Sequence, residues 1–176
     1  MNDRLSWDQY YLNICKAVAT NSKCFSRQIG VIIVRDKSIV STGFNGPPKN
    51  VPHCGLDRYE KDLYIRKALD KTLISLERIK TECPRQILGY KSGEGLDLCT
   101  AAHAETNAIV NAAKNGISIN YCKMYMTCPV PCKECMKLII NAGISEIICT
   151  SMTFYDELSE FLLKNSTIEA RVFRCL

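Results

Sequence analysis

From residue 101 onward, the sequence alternates between helical and strand-like patterns that are joined by links of only a few residues. The predicted elements are a helix at 101–115, a strand at 122–127, a helix from Pro131 to about Gly143, a strand at 145–150, a helix at 155–164 and a strand at 168–173. This alternation is typical of a layered α/β domain, in which helices cover both faces of a sheet. It restricts the fold class more than any other feature of the chain.

The first part of the chain adds two strands to that sheet. Residues 5–20 have the pattern of an amphipathic helix, and the run IGVIIVRD at 29–36 is typical of a buried strand. The short turn DKS leads into a second strand at 39–45, which we expect to pair antiparallel with the first. We therefore predict a three-layer α/β/α fold with a five-stranded mixed sheet.

A long insertion separates the second strand from the helix at 101–115. Glycines and prolines at 46–55 exclude regular structure there. Residues 58–80 show leucine and isoleucine at helical spacing, which predicts a helix over about 58–80. Residues 81–100 have the composition of a glycine-punctuated loop. We predict a single domain over residues 1–176, with a loop and helix insertion at about 46–99.

Composition argues against several classes of protein. The net charge of +5 is mild and mixed along the chain, which does not favour nucleic-acid binding. No apolar run is long enough to span a bilayer, and the N-terminus lacks the order of a signal peptide, so we expect a cytoplasmic protein. The 11 cysteines, an odd number without an export signal, argue against a disulfide framework. Those within apolar runs are predicted to be buried thiols: Cys15, Cys122, Cys149 and Cys175.

Two short motifs carry the residues best suited to chemistry. In PCKEC, Pro131 is expected to begin a helix, so that Cys132 and Cys135 share one face of its first turn, where the helix dipole favours thiolates. In HAE, His103 offers an imidazole from the start of another helix. One His and two Cys ligands leave the fourth position of a tetrahedral zinc ion to water, as in catalytic zinc sites. Glu105 lies beside this set and is the natural proton carrier.

The order of the two motifs is more specific than either motif alone. A Cys-x-x-Cys pair is common in structural zinc knuckles and redox pairs, and a single histidine is more often a core residue. Here, His-x-Glu at one helix start is followed by a strand and then by Pro-Cys-x-x-Cys at the next helix start. This combination is the signature of zinc-dependent nucleobase deaminases.

Over most of its length, the sequence resembles the deoxycytidylate (dCMP) deaminases of the cytidine deaminase superfamily. The resemblance rests on SKCFSRQIGVIIVRDKSIVSTGFNGPP, on CPRQILGYKSGEGLDLCTAAHAETNAIVNAAKNGIS and on MYMTCPVPCKECMKLIINAGISEII. It implies hydrolytic deamination of dCMP to dUMP and ammonia, which supplies dUMP for thymidylate synthesis. In that reaction, water activated by zinc attacks the amine-bearing carbon of cytosine, and Glu105 protonates ring nitrogen N3 and then the leaving amine.

The resemblance also implies contacts to the substrate. Arg27 and Tyr155 match positions near the 5′-phosphate. The alternative for Arg27 is a plain surface charge, and for Tyr155 it is a core residue at a helix start. The implied contacts are Asn45 to the sugar, the Ala104 backbone to the base, Thr127 and Pro131 near the amine, and Arg27 and Tyr155 near the phosphate.

Regulation and assembly are further implications of the resemblance. Members of this family are commonly hexamers, and many are activated by dCTP with Mg²⁺ and inhibited by dTTP. The resemblance places effector binding at Gly43, Phe44, Asn45 and Gly46. We therefore expect a homo-oligomer that responds to nucleotides and has no membrane partner.

Four further cysteines lie at loop ends outside the catalytic motifs: Cys24, Cys54, Cys83 and Cys99. Some dCMP deaminases carry a second, structural zinc in this region, and the resemblance implies that these residues hold it, with His53 as a substitute for Cys83. A metal would order a glycine-rich loop that orders poorly by itself. The alternative is a set of scattered free thiols.

Two other readings of the zinc motif stay open. Deaminases of free cytidine, tRNA adenosine, guanine or a riboflavin precursor share it, although free cytidine deaminases typically have cysteine in place of His103. An RNA-editing enzyme would need a basic surface to bind phosphates. The other reading is a non-catalytic zinc scaffold, which would have no use for the carboxylate of Glu105 beside the metal.

Overall fold

The computed structural model describes residues 5–174. These residues form two compact units: the described parts of Met1–Ser22, Ile29–Asn45 and His103–Leu176 make the first, and Lys23–Gln28 and Gly46–Ala102 make the second. The helices and strands are α1 (Trp7–Ala19), β1 (Gly30–Arg35), β2 (Ser38–Phe44), α2 (Leu56–Lys61), α3 (Leu63–Asp70), α4 (Leu76–Thr81), α5 (Pro84–Ile87), α6 (Ala104–Lys114), β3 (Lys123–Met126), α7 (Lys133–Asn141), β4 (Glu146–Cys149), α8 (Glu157–Lys164) and β5 (Glu169–Val172).

The first unit contains a five-stranded mixed sheet, as the sequence predicts. The strand order is β2-β1-β3-β4-β5. Strand β1 pairs antiparallel with both β2 and β3, with Val31 opposite Gly43 and opposite Met126. Strands β3, β4 and β5 run parallel to one another. Parallel strands place their carboxyl ends at one edge of the sheet, so the links that follow β3 and β4 lie at the same edge.

Alternate residues of β1 face two different cores. Val31 and Ile33 pack with the buried faces of α6 and α7, whereas Ile32 and Val34 pack with Tyr11 of α1. All four β1 residues are at most 4% exposed. Helices therefore cover both faces of the sheet, which confirms the predicted three-layer α/β/α arrangement.

Helix α6 approaches strand β2 at backbone distance. A Cβ atom built at Gly43 would lie 2.3 Å from the amide nitrogen of Ala108 and 2.4 Å from the carbonyl oxygen of Ala104. Real Cβ atoms do not come this close to other heavy atoms, so only glycine fits at this position of β2. The small residues on both sides thus set the distance of α6 from the sheet, and with it the place of the first turn of α6.

A buried ion network joins α1 to strands β4 and β5. Arg171 donates from Nε to Glu146 Oε1 at 2.6 Å and from Nη1 to Asp8 Oδ2 at 2.5 Å. Lys123 forms a second ion pair with Glu146, at 2.6 Å. Burial by itself would raise the pKa of both carboxyls, but hydrogen bonds and charge from Arg171, and for Glu146 also from Lys123, outweigh it and lower both pKa values.

The second unit is a set of short helices around its own small core, and it corrects the prediction of one helix over 58–80. The Asp62 carboxylate accepts hydrogen bonds from the amides of Tyr64 and Ile65 at 3.0 and 3.1 Å, which ends α2 and begins α3. Leu73 has a φ of 50°, and Ser75 caps α4. The predicted loop at 81–100 also contains α5 and one 3₁₀ turn at Leu96–Leu98. Local capping by aspartate and serine therefore breaks the helical pattern.

None of the ten cysteines among residues 5–174 forms a disulfide bond. Cys15, Cys122 and Cys149 are buried, as predicted, whereas Cys175 lies outside the described residues. Within the same range, no helix combines the length and the apolar character needed to cross a membrane.

Candidate active site

Two helix starts bring together a histidine and two cysteines. His103 precedes α6 as its N-cap, Cys132 is the N-cap of α7, and Cys135 lies in the first turn of α7. His103 Nδ1 lies 3.4 Å from Cys132 Sγ and 3.3 Å from Cys135 Sγ. Among residues 5–174, this is the one group of three or more His, Cys, Asp or Glu side chains whose donor atoms all lie within 4.8 Å of one another.

These distances fit a zinc ion. Bond lengths of about 2.3 Å to sulfur and about 2.0–2.1 Å to nitrogen, in tetrahedral geometry, separate a sulfur ligand from a nitrogen ligand by roughly 3.5 Å. The observed separations of 3.3 and 3.4 Å are close to that value. His103 is exposed at the surface of its unit while Cys135 is buried, so one side of the ligand set faces outward. The three residues therefore fit a zinc site with its fourth position open.

The start of α7 corrects one detail of the sequence prediction. Pro131 does not begin the helix, because Cys132 still has an extended conformation, with φ −65° and ψ 164°. The first helical residue is Lys133, whose amide donates to Asp156 Oδ2 at 3.0 Å. The other oxygen of Asp156 accepts from the amide of Ser159 at 2.8 Å and caps α8. Asp156, which the sequence analysis missed, thus braces the metal-binding turn, and its signal in the sequence is an N-cap aspartate before a helix.

The surroundings of the two thiols shift their pKa values in opposite directions. A hydrogen bond from Cys135, assisted by His103, lowers the pKa of Cys132 to about 4. The same hydrogen bond, together with burial, raises the pKa of Cys135. This environment favours the thiolate form of Cys132, and a bound cation would favour loss of the proton of Cys135 as well.

Glu105 lies in the first turn of α6 and is 4% exposed. Burial raises the pKa of its carboxyl above the ordinary range, while its own backbone amide, His103 and the Cys128 thiol act in the opposite direction. Cys128 donates to Glu105 Oε1 at a sulfur–oxygen distance of 3.8 Å. Such a buried carboxyl, held next to the three candidate metal ligands, can accept a proton and return it. Nothing in the sequence pattern predicts this contact between Cys128 and Glu105.

Asn45 and Thr127 lie at neighbouring strand ends of the first unit. Asn45 is buried, and its Oδ1 accepts from the amide of Ile29 at 2.8 Å. The Thr127 hydroxyl accepts from the amide of Gly30 at 2.9 Å. Both side chains are therefore tied to the start of β1, and their orientation is fixed by the sheet.

The other predicted substrate contacts have varied surroundings. Ala104 is fully buried at the start of α6 and Pro131 is fully buried before α7, whereas Tyr155 is 44% exposed. Arg27 belongs to the second unit, where its Nη2 donates to Ser92 Oγ at 3.0 Å. The core alternative for Tyr155 does not fit this exposure.

The predicted effector residues have structural roles of their own. Gly43 allows the close approach of α6, and the Phe44 carbonyl accepts from Asn107 Nδ2 at 2.8 Å. In the second unit, Gly46 and Ala102 exchange two backbone hydrogen bonds, at 2.8 and 3.1 Å.

The four cysteines of the second unit are not gathered as the catalytic ligands are. Burial raises the pKa of Cys54, and the nearby thiols of Cys83 and Cys99 raise it further. Nevertheless, no three of the donor atoms of these residues, with Cys24 and His53 included, lie within 4.8 Å of one another. Arg58, which is 5% exposed, forms a hydrogen bond with the Cys54 thiol.

Comparison with known proteins identifies the family. Residues 5–151 match the family model described as the cytidine and deoxycytidylate deaminase zinc-binding region. A Saccharomyces cerevisiae protein named deoxycytidylate deaminase is 30% identical over 170 residues, which cover 97% of this chain and 46% of the yeast protein. A Mus musculus protein of the same name is 33% identical over 156 residues, covering 88% of this chain and 70% of the mouse protein.

A solved structure shares the fold. The dCMP deaminase from the cyanophage S-TIM5, in complex with dCMP and dUMP, matches with a TM-score of 0.62 and 22% identity, covering 93% of each chain. The region that matches the family model contains His103, Glu105, Cys132 and Cys135. This chain belongs to the cytidine and deoxycytidylate deaminase family.

Proposed function

We propose that this protein is a dCMP deaminase, which hydrolyses dCMP to dUMP and ammonia. The observation that carries the proposal is the buried carboxyl of Glu105 beside a His103, Cys132 and Cys135 set that fits zinc with one position open. The names of the similar proteins support dCMP as the substrate. A scaffold that only binds zinc would have no need to bury a carboxyl there.

His103, Cys132 and Cys135 would hold the zinc ion, which supplies an acidified and oriented water molecule when it is bound. Glu105 takes a proton from the attacking water and delivers it to ring nitrogen N3 of cytosine. It then takes the second proton of that water from the hydroxyl group formed on the ring carbon and delivers it to the departing amine, which leaves as ammonia. Burial of Glu105 favours this shuttle because it raises the pKa of the carboxyl and so makes the carboxylate a better proton acceptor.

We assign the substrate contacts as the family resemblance implies. Asn45 binds the sugar, the Ala104 backbone contacts the base, and Thr127 and Pro131 line the pocket around the amine. The fixed orientation of the Asn45 and Thr127 side chains at the start of β1 supports these roles. Two residues complete the set at the 5′-phosphate: Arg27 and Tyr155.

Nucleotide regulation is part of the proposal. dCTP with Mg²⁺ would activate the enzyme and dTTP would inhibit it, through Gly43, Phe44, Asn45 and Gly46. The proposed regulation would be overturned if the rate depended hyperbolically on dCMP concentration and neither dCTP nor dTTP changed that dependence. We further propose a cytoplasmic homohexamer, to be checked by light scattering on purified protein, built from a single deaminase domain with an insertion at about 46–99.

A second, structural zinc held by Cys24, Cys54, Cys83 and Cys99 also belongs to the proposal. Its support is the proximity of Cys83 and Cys99 to Cys54 and the hydrogen bond from Arg58 to Cys54. A buried guanidinium stabilises thiolate sulfur, which is the form that binds zinc. A zinc content near two per chain is expected, and a content near one would overturn the second site.

The proposed function is tested by a deamination assay on zinc-replete protein. dCMP is compared with deoxycytidine, CMP and single-stranded DNA, each with and without dCTP and Mg²⁺. We expect dCMP to react much faster than deoxycytidine, because the site binds the 5′-phosphate. Reaction of another substrate while dCMP stays inert would keep the zinc chemistry and overturn the assignments at Arg27, Asn45 and Tyr155. Absence of any reaction in zinc-loaded protein would favour the scaffold.

A further inference from the structure

Asn107 connects the metal-binding turn of α6 to the end of strand β2. Its backbone amide donates to the carbonyl oxygen of His103 at 3.0 Å, in the first turn of the helix. Its side-chain Nδ2 donates to the carbonyl oxygen of Phe44 at 2.8 Å. A single half-buried residue is therefore bonded both to the residue that offers the imidazole and to the last residue of β2.

The strand end that Asn107 reaches is itself part of a hydrogen-bonded series. Phe44 precedes Asn45, whose backbone amide donates to the Ile29 carbonyl at 3.3 Å and whose Oδ1 accepts from the Ile29 amide at 2.8 Å. The next residue, Gly30, donates from its amide to the Thr127 hydroxyl at 2.9 Å. The ends of β2, β1 and β3 are thus tied together on one side, and Asn107 is the side chain that joins this series to α6.

One turn further along α6, Asn111 makes a bond of the same kind. Its Nδ2 donates to the carbonyl oxygen of Thr42 at 2.8 Å. Asn111 is exposed and lines an open groove together with residues 39–42 and Asn115, so water has access to this bond. The two asparagines are four residues apart and bind carbonyls two residues apart on β2, but only Asn107 adjoins the metal-binding turn and Asn45.

We propose that Asn107 is a positioning residue of the active site. Its side-chain amide fixes the register between the first turn of α6, which carries His103 and Glu105, and the strand end that carries Asn45. The inference rests on the proposed function for the role of Asn45 as a substrate contact. The position of His103 relative to the cysteines of α7 depends on the same register, whatever the substrate is.

The close packing of α6 on β2 fixes the distance between the helix and the strand. It constrains a sliding motion of the helix along the strand less strongly. Gly43 and Ala108 set how closely the helix approaches the strand, and a buried hydrogen bond from Ser41 Oγ to the Ala108 carbonyl at 2.7 Å holds the middle of the contact. The directional bond from Asn107 holds the end that adjoins the metal-binding turn, whereas the bond from Asn111 is open to water and lies one turn away. A displacement of about 1 Å between a catalytic group and the substrate can lower the rate by about 100-fold.

The experiment compares Asn107→Ala with Asn111→Ala, which deletes the same kind of bond one turn from the site. Each variant is loaded with zinc for dCMP kinetics and with cobalt(II) for absorption spectroscopy. Cobalt bands report the geometry and the sulfur ligation of the His103 site without any substrate, and any cobalt bound in the second unit contributes equally to both variants. Asn107→Ala should lower kcat roughly 10-fold to 100-fold with little change in KM, the range for losing support of a metal ligand. Its cobalt bands should shift.

Asn111→Ala should keep kcat within about twofold, as expected for an exposed substitution, and should keep the cobalt spectrum of the unaltered protein. Asn107→Asp and Asn111→Asp form a shape-matched second pair, in which the donor is lost but the side chain keeps its size. This second pair replaces the alanine pair if Asn107→Ala does not fold. Asn107→Asp should show the lower kcat and the shifted cobalt bands, and Asn111→Asp should show neither.

The outcomes separate the inference from the proposed function. If the unaltered protein is inert on dCMP, the proposed function fails, and the cobalt spectra still test whether Asn107 positions His103. If the unaltered protein deaminates dCMP while the Asn107 and Asn111 variants share the same kcat and the same cobalt spectrum, Asn107 contributes only stability and the inference is overturned.

Discussion

Two groups of cysteines in this chain have the same chemistry but different scaffolds. Cys132 and Cys135 lie at the start of a nine-residue helix packed on a five-stranded sheet, with His103 Nδ1 within 3.4 Å of both sulfurs. The second group lies in a unit whose α-helices are four to eight residues long, and its thiols are not gathered to ligand distance. It comprises Cys24, Cys54, Cys83 and Cys99.

The difference shows how backbone structure can organise a metal site before the metal arrives. Helix N-termini have fixed directions once their helices are packed, so ligands at these positions converge without help from a cation. Ligands in loops between short helices lack such constraints, and a metal that gathers them must offset the entropy of ordering the loop. The first site is therefore expected to tolerate metal removal, whereas a metal in the second unit would contribute to its folding.

Removing one proposed ligand from each group should give the largest effects and tests the difference between the two groups directly. Cys132→Ala should abolish turnover and lower the zinc content by one per chain, because two ligands do not hold the ion. Cys54→Ala should remove the other proposed zinc and lower the unfolding temperature of the second unit. Zinc content and thermal unfolding are measured together, with Cys122→Ala as the control for losing a buried thiol. Equal zinc content in Cys54→Ala and the unaltered protein would contradict the loop site.

Replacing the proton carrier should separate catalysis from metal binding in the first site. Glu105→Gln should lower kcat by roughly 10²-fold to 10⁴-fold, the usual contribution of general acid–base catalysis. Its zinc content should not change, since the carboxyl is not a ligand. Steady-state kinetics on dCMP and zinc analysis test this prediction, and an unchanged rate would exclude Glu105 from the mechanism.

The ion network around Arg171 tests how strongly the scaffold of the first site is held. Arg171→Met should lower the free energy of unfolding by roughly 3 kcal/mol near neutral pH, because Asp8 stays buried without its guanidinium partner and Glu146 keeps only Lys123. Urea unfolding measures this loss. Lys164→Met, which removes an exposed ion pair with Glu160, is the control and should cost at most about 1 kcal/mol.

The same network predicts the sign of a pH dependence. The folded protein lowers the pKa of both Asp8 and Glu146, so their contribution to stability is present above their unfolded pKa values and is lost as the pH falls through the lower, folded values. The unaltered protein should therefore lose stability below about pH 4. The difference in free energy of unfolding between the unaltered protein and Arg171→Met should decrease over the same pH range. A difference that increased in acid would contradict the stabilising role assigned to the ionised carboxylates of Asp8 and Glu146.

The smallest expected effect concerns the packing that places the first turn of α6. Gly43→Ala should lower the free energy of unfolding by about 2 kcal/mol, because the added methyl group overlaps the backbone of Ala104 and Ala108. Gly46→Ala is the matched control, since its Cβ would lie 3.7 Å from His53 Cε1, an ordinary contact. Chemical unfolding of both variants provides the comparison, and equal stability would show that α6 can move away from β2 without cost.

Much of the fold could be read from local patterns, and the exceptions have identifiable causes. The five strands and the helices that carry His103 and the two cysteines have strong hydrophobic patterns because they pack on the two cores of one sheet. The predicted helix over 58–80 failed because Asp62 caps a new helix and Leu73 adopts a left-handed conformation. The start of α7 was misplaced by two residues, since Asp156 binds the amide of Lys133 from a distant part of the chain.

By itself, the sequence determined the α/β class and which residues can bind zinc and move protons, because these depend on hydrophobic period and on side-chain chemistry. The tertiary structure decided which side chains and backbone groups that are distant in the sequence come into contact. It brought His103 to the two cysteines, the Cys128 thiol to Glu105, and the Asn107 amide to the Phe44 carbonyl. The physical reason is that such contacts join residues 23 to 63 positions apart, and only the packing of helices on the sheet sets those distances.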